Sequence, residues 1–190
     1  AIPMLLSMRC NGQIEGVEIQ KEACDIANKN IELNQLTHQV KIINQDIKDY
    51  VKVHKQVDLV VCNPPFFKIG EKSNLNENRY LQIARHEIKI NLEEIIASAA
   101  KILKVKGRFA IVHRTERMIE IIELMKKYNL EPKKIQYIYP KQNKESNIIL
   151  IEAMFHGNPG VKILPPIIAH EENGNYSKEV RKMFGEIVDE

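Results

Sequence analysis

The residues of this chain that are best suited to chemistry are four in a row, Asn63, Pro64, Pro65 and Phe66. They follow Val57–Cys62, an apolar and β-branched run that is typical of a strand buried on both faces. The two prolines lack an N–H and fix φ, so they end the strand and hold the chain in a stiff, extended turn. Ligands of open α/β sheets bind at the carboxyl ends of the strands, so we expect these four residues to face a ligand.

The groups that these residues present suit a flat substrate with an amino group. The Asn63 side-chain oxygen and the Pro64 carbonyl could accept its two N–H bonds, while the Phe66 ring stacks on its plane. Accepting both protons would draw the nitrogen lone pair out of conjugation and direct it at an electrophile. The alternative interpretation is an asparagine-initiated turn without a function, which the position after a buried strand makes less favoured.

The composition limits the class of protein. The 190 residues suffice for one domain with a sizeable core, and 44% hydrophobic with 28% charged residues is ordinary for a soluble globular protein. The three cysteines show no paired spacing, so neither a disulfide framework nor a zinc site is indicated. No apolar run approaches membrane-spanning length and no signal-peptide pattern is present. We therefore expect a cytoplasmic protein with no membrane and no metal among its partners.

The distribution of charge says more than its sum. The formal net charge is only +3, but the basic residues become denser in the second half, over residues 101–117 and 133–144. A solvated face explains this distribution as well as a nucleic-acid surface does, so both interpretations stay open from the residues alone.

Strands and helices alternate along the first part of the chain. The predicted order is strand 14–19, a helix carrying Ile26 and Ile31, strand 40–43, helix 47–53 and strand 57–62. Alternation of this kind predicts a parallel sheet that is covered by helices on both faces.

The second half predicts two further helices and a hairpin. Asn91 with Glu94 three residues later indicates one helix start, and Thr115 is predicted to cap the next helix. The alternating residues 135–139 and the apolar run 148–155 have no helix-length segment between them. They are therefore predicted to pair as an antiparallel hairpin at one edge of the sheet.

The order of these elements and the placed motif resemble class I (Rossmann-like) methyltransferases. More narrowly, the chain resembles the branch that methylates adenine N6 in valine tRNA. The segments that carry the resemblance are residues 63–67 (Asn-Pro-Pro-Phe-Phe), 84–87 (Ala-Arg-His-Glu) and 173–180 (Asn-Gly-Asn-Tyr-Ser-Lys-Glu-Val). Residues 173–174 also predict a turn. The resemblance implies an α/β fold: a Rossmann-like class I methyltransferase sheet with a C-terminal antiparallel hairpin, in a single methyltransferase domain over residues 1–190.

The same resemblance implies S-adenosylmethionine as the cofactor. Glu18, followed by Ile19, matches the acidic position that binds the cofactor ribose. Asp46 with Ile47 matches the pair that reads the cofactor adenine, and Asn63 is also assigned to the cofactor site. From the residues alone, Glu18 is equally an acidic residue at a strand end, and Asp46 is equally a helix N-cap.

The activity that the resemblance implies is methyl transfer to the exocyclic N6 of an adenine in tRNA. The catalytic residues would then be Asn63, Pro64, Pro65 and Phe66. The substrate-binding residues would be Phe67, Arg79, Arg85 and His86. Three alternatives stay open: the same motif acting on a protein glutamine, the same motif acting on guanine N2 of ribosomal RNA, and a non-catalytic RNA-binding remnant.

Class I methyltransferases have a strand and a glycine-rich turn before the position that corresponds to Ala1, and the resemblance implies that residues 1–190 lack both. That strand would be the central one, so its neighbours would keep unpaired backbone groups at about 1–3 kcal/mol each. A domain is only about 5–15 kcal/mol stable, so we expect residues 1–190 alone not to form a stable, active enzyme. Thermal unfolding with and without S-adenosylmethionine checks this, and a cooperative transition that rises with cofactor would contradict it.

Overall fold

A computed structural model describes residues 1–54, 56–64 and 91–186. The chain divides into two compact units, Ala1–Lys55 and Gln56–Glu190, and each unit has its own sheet. Strands and helices alternate in the first unit and in the first part of the second, in agreement with the predicted α/β fold class. Among the described residues, every helix is too short or too polar to cross a membrane.

The first unit contains a pair of parallel strands and three helices. The strands are β1 (Ile14–Glu18) and β2 (Val40–Asn44), and the helices are α1 (Ile2–Ser7), α2 (Lys21–Leu33) and α3 (Ile47–Val53). Helix α2 connects the two strands, and such a crossover is what parallel pairing demands. The register places Glu18 opposite Asn44, so both strands end at the same level.

The stripe that helix α2 buries differs from the predicted one at Ile26. Cys24 and Ile31 are each 3% exposed, whereas Ile26 is 61% exposed. Asn28 lies on the buried side as well, where its side chain bonds to the backbone N–H and carbonyl of Ile42. Residues 24, 28 and 31 share one helical face and residue 26 does not, so the prediction was correct for Ile31 and wrong for Ile26.

The second unit is built on a six-stranded sheet. Its strands are β3 (Val57–Cys62), β4 (Leu103–Arg114), β5 (Leu130–Tyr139), β6 (Ile148–Phe155), β7 (Lys162–Ile163) and β8 (Ile167–Ile168). Their order is β3-β4-β6-β5-β7, and β8 also pairs with β5. The helices are α4 (Leu92–Ile102), α5 (Met118–Lys127) and α6 (Lys178–Met183), with a 3-10 turn at Thr115–Arg117.

Five strands of this sheet, β3, β4, β5, β7 and β8, point in one direction. β3 is parallel to β4, β6 is antiparallel to both β4 and β5, and β8 is parallel to β5. The predicted antiparallel hairpin, β5 with β6, is therefore confirmed. The segments after β3, β4, β5 and β8 consequently lie at one edge, which we call the carboxyl rim: residues 63–64, 114–117, 140–147 and 169–177.

The core of the second unit lies between the sheet and helices α4 and α5. Phe109 of β4, Ile149 of β6, Ile96 of α4 and Ile121 of α5 are completely buried in one apolar cluster. Helix α4 begins with the predicted capping box. The side chain of Asn91 accepts from the Glu94 N–H at 2.9 Å, and the Glu94 carboxylate accepts from the Asn91 N–H at 3.0 Å.

Strand β3 is buried on one face only. Val60 and Cys62 pack against the core cluster, while Leu59 and Val61 are 48% and 38% exposed. The prediction of a strand buried on both faces is therefore wrong for the described residues. Within the described sheet β3 is the end strand, and the core cluster reaches it from one side.

His113 is a buried polar residue of β4, only 1% exposed. Its Nδ1 accepts from the backbone N–H of Arg114 at 2.8 Å, and its Nε2 lies 3.5 Å from a guanidinium nitrogen of Arg117. Burial, followed by the positive charge of Arg117, lowers the pKa of His113, although Glu120 and Glu116 act in the opposite direction. The folded protein therefore favours the neutral imidazole.

We expect His113 to make the unfolding free energy decrease as the pH falls below about 6.5. The unfolded chain takes up a proton there while the folded chain does not, so stability is complete above this pH and is lost below it. Urea unfolding of His113→Gln should show a weaker pH dependence than wild type, by at most about 1.4 kcal/mol per pH unit. His38→Gln changes an exposed histidine and serves as the control. Identical pH dependence in the three proteins would contradict the expectation.

Candidate functional site

The first unit brings four of the predicted site residues to the carboxyl edge of its strand pair. Glu18 is the last residue of β1 and Ile19 follows it, while Asp46 and Ile47 follow β2 at the start of α3. The two strands end at the same level, so the two predicted pairs lie at one edge of the sheet.

Asn44 joins the two chain segments that leave this edge. Its side-chain nitrogen donates to the carbonyl of Glu18 at 2.9 Å and to the carbonyl of Ile19 at 3.0 Å. The backbone N–H of Gln45 also donates to the Glu18 carbonyl, at 3.1 Å. Asn44 is not among the site residues predicted from the sequence, although a polar residue at the end of a strand of β-branched residues is a signal for such a role.

The side chain of Glu18 is half-buried, and one of its two oxygens already binds a nearby backbone N–H. One carboxylate oxygen accepts from the N–H of Gln20 at 2.9 Å. A carboxylate has about four lone-pair sites, so further donors can still be accepted. Ile19 beside it is 50% exposed. A carboxylate next to an exposed apolar side chain can bind a ligand that has both hydroxyls and a flat apolar part.

Asp46 is the N-cap of helix α3. One carboxylate oxygen accepts from the Lys48 N–H at 2.8 Å, and the other lies 3.8 Å from the Lys48 ammonium. The N-cap interpretation is thus confirmed, and a binding role for Asp46 stays a prediction that is compatible with it. The N–H of Ile47 belongs to the first helical turn, where N–H groups have no carbonyl partner within the helix.

In the second unit, Asn63 and Pro64 follow β3 on the carboxyl rim. Asn63 is exposed and Pro64 is buried. Cys62, just before them, has a buried thiol whose pKa is raised to about 11 by that burial, so it stays protonated at neutral pH. The other residues predicted for the site lie outside the described residues: Pro65, Phe66, Phe67, Arg79, Arg85 and His86.

Next to Asn63 on the carboxyl rim, a contact between two hydroxyl groups connects the segment after β4 to the β5–β6 loop. Parallel register pairs Cys62 with Ile111, so Asn63 follows β3 close to the point where β4 ends. After β4, the Thr115 hydroxyl lies 3.1 Å from the Ser146 hydroxyl, and the Thr115 N–H donates to the Asn147 carbonyl. The prediction that Thr115 caps helix α5 is wrong, because a 3-10 turn intervenes and its hydroxyl bonds to Ser146 instead.

Acidic residues, cysteines and histidines do not cluster in a way that could hold a metal ion anywhere in the described ranges.

The sequence model of the family described as "Methyltransferase small domain" matches residues 2–137. That match covers more than half of the chain, with most of the first unit and part of the second. The chain therefore belongs to the methyltransferase small domain family.

Two curated relatives have the same name, tRNA1(Val) (adenine(37)-N6)-methyltransferase. The one from Aliivibrio salmonicida (strain LFI1238) is 27% identical over 169 residues, which are 89% of this chain and 69% of that protein. The one from Cytophaga hutchinsonii is 27% identical over 150 residues, which are 78% of this chain and 62% of that protein. The chain thus spans about two thirds of the length of these relatives.

A solved structure shares the fold. The crystal structure of a predicted O-methyltransferase from Agrobacterium tumefaciens superimposes with a TM-score of 0.72 at 16% sequence identity, covering 96% of this chain and 82% of that one. The Rossmann-like methyltransferase fold predicted from the sequence is thereby confirmed.

We expect Asn44→Leu to weaken binding of S-adenosylmethionine, the cofactor that the sequence predicts, by about 5- to 100-fold. The substitution keeps the size of the side chain but removes two hydrogen bonds that position Glu18 and Ile19, at about 0.5–1.5 kcal/mol each. Isothermal titration of the cofactor provides the measurement. Asn34→Leu is the matched control, because Asn34 also donates to a backbone carbonyl, that of Asn30, at an exposed helix end. Unchanged affinity in Asn44→Leu would contradict the positioning role.

Proposed function

We propose that this protein transfers a methyl group from S-adenosylmethionine to the exocyclic N6 of an adenine in tRNA, in the cytoplasm. The observation that carries the proposal is the exposed Asn63 side chain, followed by the buried Pro64, at the carboxyl end of β3. Membership of the methyltransferase small domain family supports the reaction. The names of the curated relatives support adenine in tRNA as the acceptor.

The first unit contains groups that fit S-adenosylmethionine, which would supply an electrophilic methyl group on its sulfur. Glu18 has lone pairs left for the vicinal hydroxyls of a ribose. Asp46 can accept from the amino group of an adenine, and the N–H of Ile47 can donate to a ring nitrogen. The exposed Ile19 provides apolar contact area for the same ligand.

The second unit contains the groups that fit the acceptor. Asn63 is exposed, and its side-chain oxygen can accept a substrate N–H. The Pro64 carbonyl can accept a second N–H, and Pro64 has no N–H of its own that would compete. The target base must leave its stack to reach these groups. Holding the amino group in the reactive orientation can contribute several kcal/mol to catalysis.

The proton of the amino group requires no strong base in this scheme. The nitrogen becomes acidic once the methyl group is attached, so the proton can leave afterwards to water. Cys62 next to Asn63 stays a neutral thiol at neutral pH, because its pKa is raised to about 11. The proposed acceptors, the Asn63 amide oxygen and the Pro64 carbonyl, are neutral as well, which suits a reaction controlled by orientation.

Asn63→Ala should lower kcat by about 100-fold or more while leaving the affinity for S-adenosylmethionine nearly unchanged. We assign the side chain to the acceptor nitrogen in the transition state. The family resemblance also implied a place for Asn63 in the cofactor site, and a side-chain contact there would lower the cofactor affinity of the variant. Single-turnover kinetics and isothermal titration test the two halves separately. Asn158→Ala, a change of an exposed asparagine beyond β6, is the control. Equal losses in rate and in cofactor affinity would show that the assigned role is wrong.

The acceptor is tested by transfer of a tritium-labelled methyl group to total tRNA, ribosomal RNA and protein fractions. We expect label in tRNA, on adenine N6, and an affinity for tRNA whose logarithm falls linearly with the logarithm of the salt concentration. A protein acceptor with a flat salt response would point to a glutamine substrate, and label on guanine N2 would point to ribosomal RNA. Failure to bind the cofactor at all would favour the non-catalytic alternative.

A further inference from the structure

We propose that Tyr176 and Phe184 form a stacking platform for unpaired bases of the tRNA substrate, on the same carboxyl rim as Asn63. The inference rests on the proposed function, because it extends the contact with RNA beyond the base that is methylated. It assigns a role to the tail segment 173–180, which the methyl-transfer reaction itself does not use.

A short hairpin holds Tyr176 in place. The Glu171 N–H donates to the Asn175 carbonyl at 2.9 Å, and the Gly174 N–H donates to the Glu171 carbonyl at 3.0 Å. Gly174 has a φ of +88°, which glycine adopts at little cost, so the predicted turn at residues 173–174 is confirmed. Across the hairpin, Tyr176 forms a β-bridge with His170. The backbone of Tyr176 is thus fixed before any ligand binds.

Three aromatic rings, those of His170, Tyr176 and Phe184, form a row with Tyr176 in the middle. Its centroid is 4.9 Å from that of His170, with an interplanar angle of 24°, and 5.7 Å from that of Phe184. Tyr176 is 51% exposed and Phe184 is 65% exposed. Among the described residues, two of the exposed large apolar side chains are aromatic, those of Tyr176 and Phe184. These two rings are neighbours. Exposed aromatic rings are the groups on which unpaired bases stack.

The tail hairpin is joined to the rim by direct contacts. The backbone N–H of His170 donates to the Pro140 carbonyl at 3.0 Å, and β8 before it pairs with the end of β5. Lys141 donates to the Glu172 carbonyl at 3.0 Å. Further along the same loop, Ser146 contacts Thr115 after β4. These contacts connect the ring row to the end of β4, beside which β3 ends at Asn63.

The distance along the rim suits a single strand of RNA. The strand order from β3 through β4, β6 and β5 to β8 makes four steps of about 4.8 Å, or about 19 Å in all. One base cannot span this distance, whereas several nucleotides of an unpaired strand can. Lys144 lies in the β5–β6 loop between the two ends, where a phosphate would pass.

The reaction itself creates a need for such a platform. Turning the target base out of its stack removes stacking partners from its neighbours, at a cost of a few kcal/mol. Aromatic rings further along the same rim offer stacking to unpaired bases a few nucleotides from the target, without regard to their sequence. We therefore favour RNA, and not a protein, as the partner of the ring row.

The test compares tRNA binding by Tyr176→Leu, Phe184→Leu and Tyr176→Phe in the full-length protein. We expect both leucine variants to bind tRNA about 5- to 100-fold more weakly, because stacking is lost at similar size. Tyr176→Phe keeps the ring and should keep the affinity. In the leucine variants KM for tRNA should rise, while kcat at saturating tRNA and the thermal unfolding midpoint stay at the wild-type values.

The salt dependence of tRNA affinity distinguishes a stacking contact from a phosphate contact. The leucine variants should keep the wild-type slope of affinity against salt, whereas Lys144→Ala should reduce it by about 0.7–0.9, as expected for one lost phosphate contact. Lys101→Ala is the matched control, because Lys101 lies in the last turn of α4 before β4 begins, at the opposite edge of the sheet.

The outcomes distinguish the two proposals. Wild-type protein that methylates tRNA, together with leucine variants of unchanged affinity, would overturn the stacking platform alone. Tyr176→Phe as weak as Tyr176→Leu would also overturn it, since the ring would then not be the binding group. Wild-type protein that neither binds nor methylates tRNA would overturn the proposed function and the platform with it.

Discussion

The backbone pairing of β6 determines which loops meet at the candidate acceptor site. β6 is antiparallel to both β4 and β5, so those two strands run in the same direction although another strand separates them. Ile149, Ile151 and Ala153 of β6 are at most 1% exposed, so the strand is fixed by packing as well as by hydrogen bonds. Were β6 absent from this position, the loop after β5 would not share an edge with Asn63 and the end of β4.

The two units offer different chemistry at their strand ends. The first unit presents carboxylates, Glu18 and Asp46, beside the N–H groups of a helix start. The second presents two neutral oxygens after β3, the amide oxygen of Asn63 and the backbone carbonyl of Pro64. Charged acceptors suit hydroxyl and amino groups that must be bound in the ground state. Neutral acceptors suit an amine that must stay nucleophilic.

The sequence predicted the elements that local rules determine. Helix 47–53 and the capping box at Asn91 match the structure, since caps and strand-ending residues act within a few positions of themselves. The positions of Glu18, Asp46 and Asn63 after strands are likewise observed. Thr115 was misjudged because its partner Ser146 lies 31 residues later. The one-sided burial of β3 also depends on tertiary neighbours, which no local pattern specifies.

The division of the chain at Lys55 has a consequence for how such a protein can change over evolution. The residues predicted for the ribose and adenine of the cofactor lie before that point, and those predicted for the acceptor lie after it. Substitutions that alter which molecule is recognised can therefore accumulate in one segment while the other stays under separate selection. A donor-binding segment of this kind can be inherited unchanged by descendants that modify different targets.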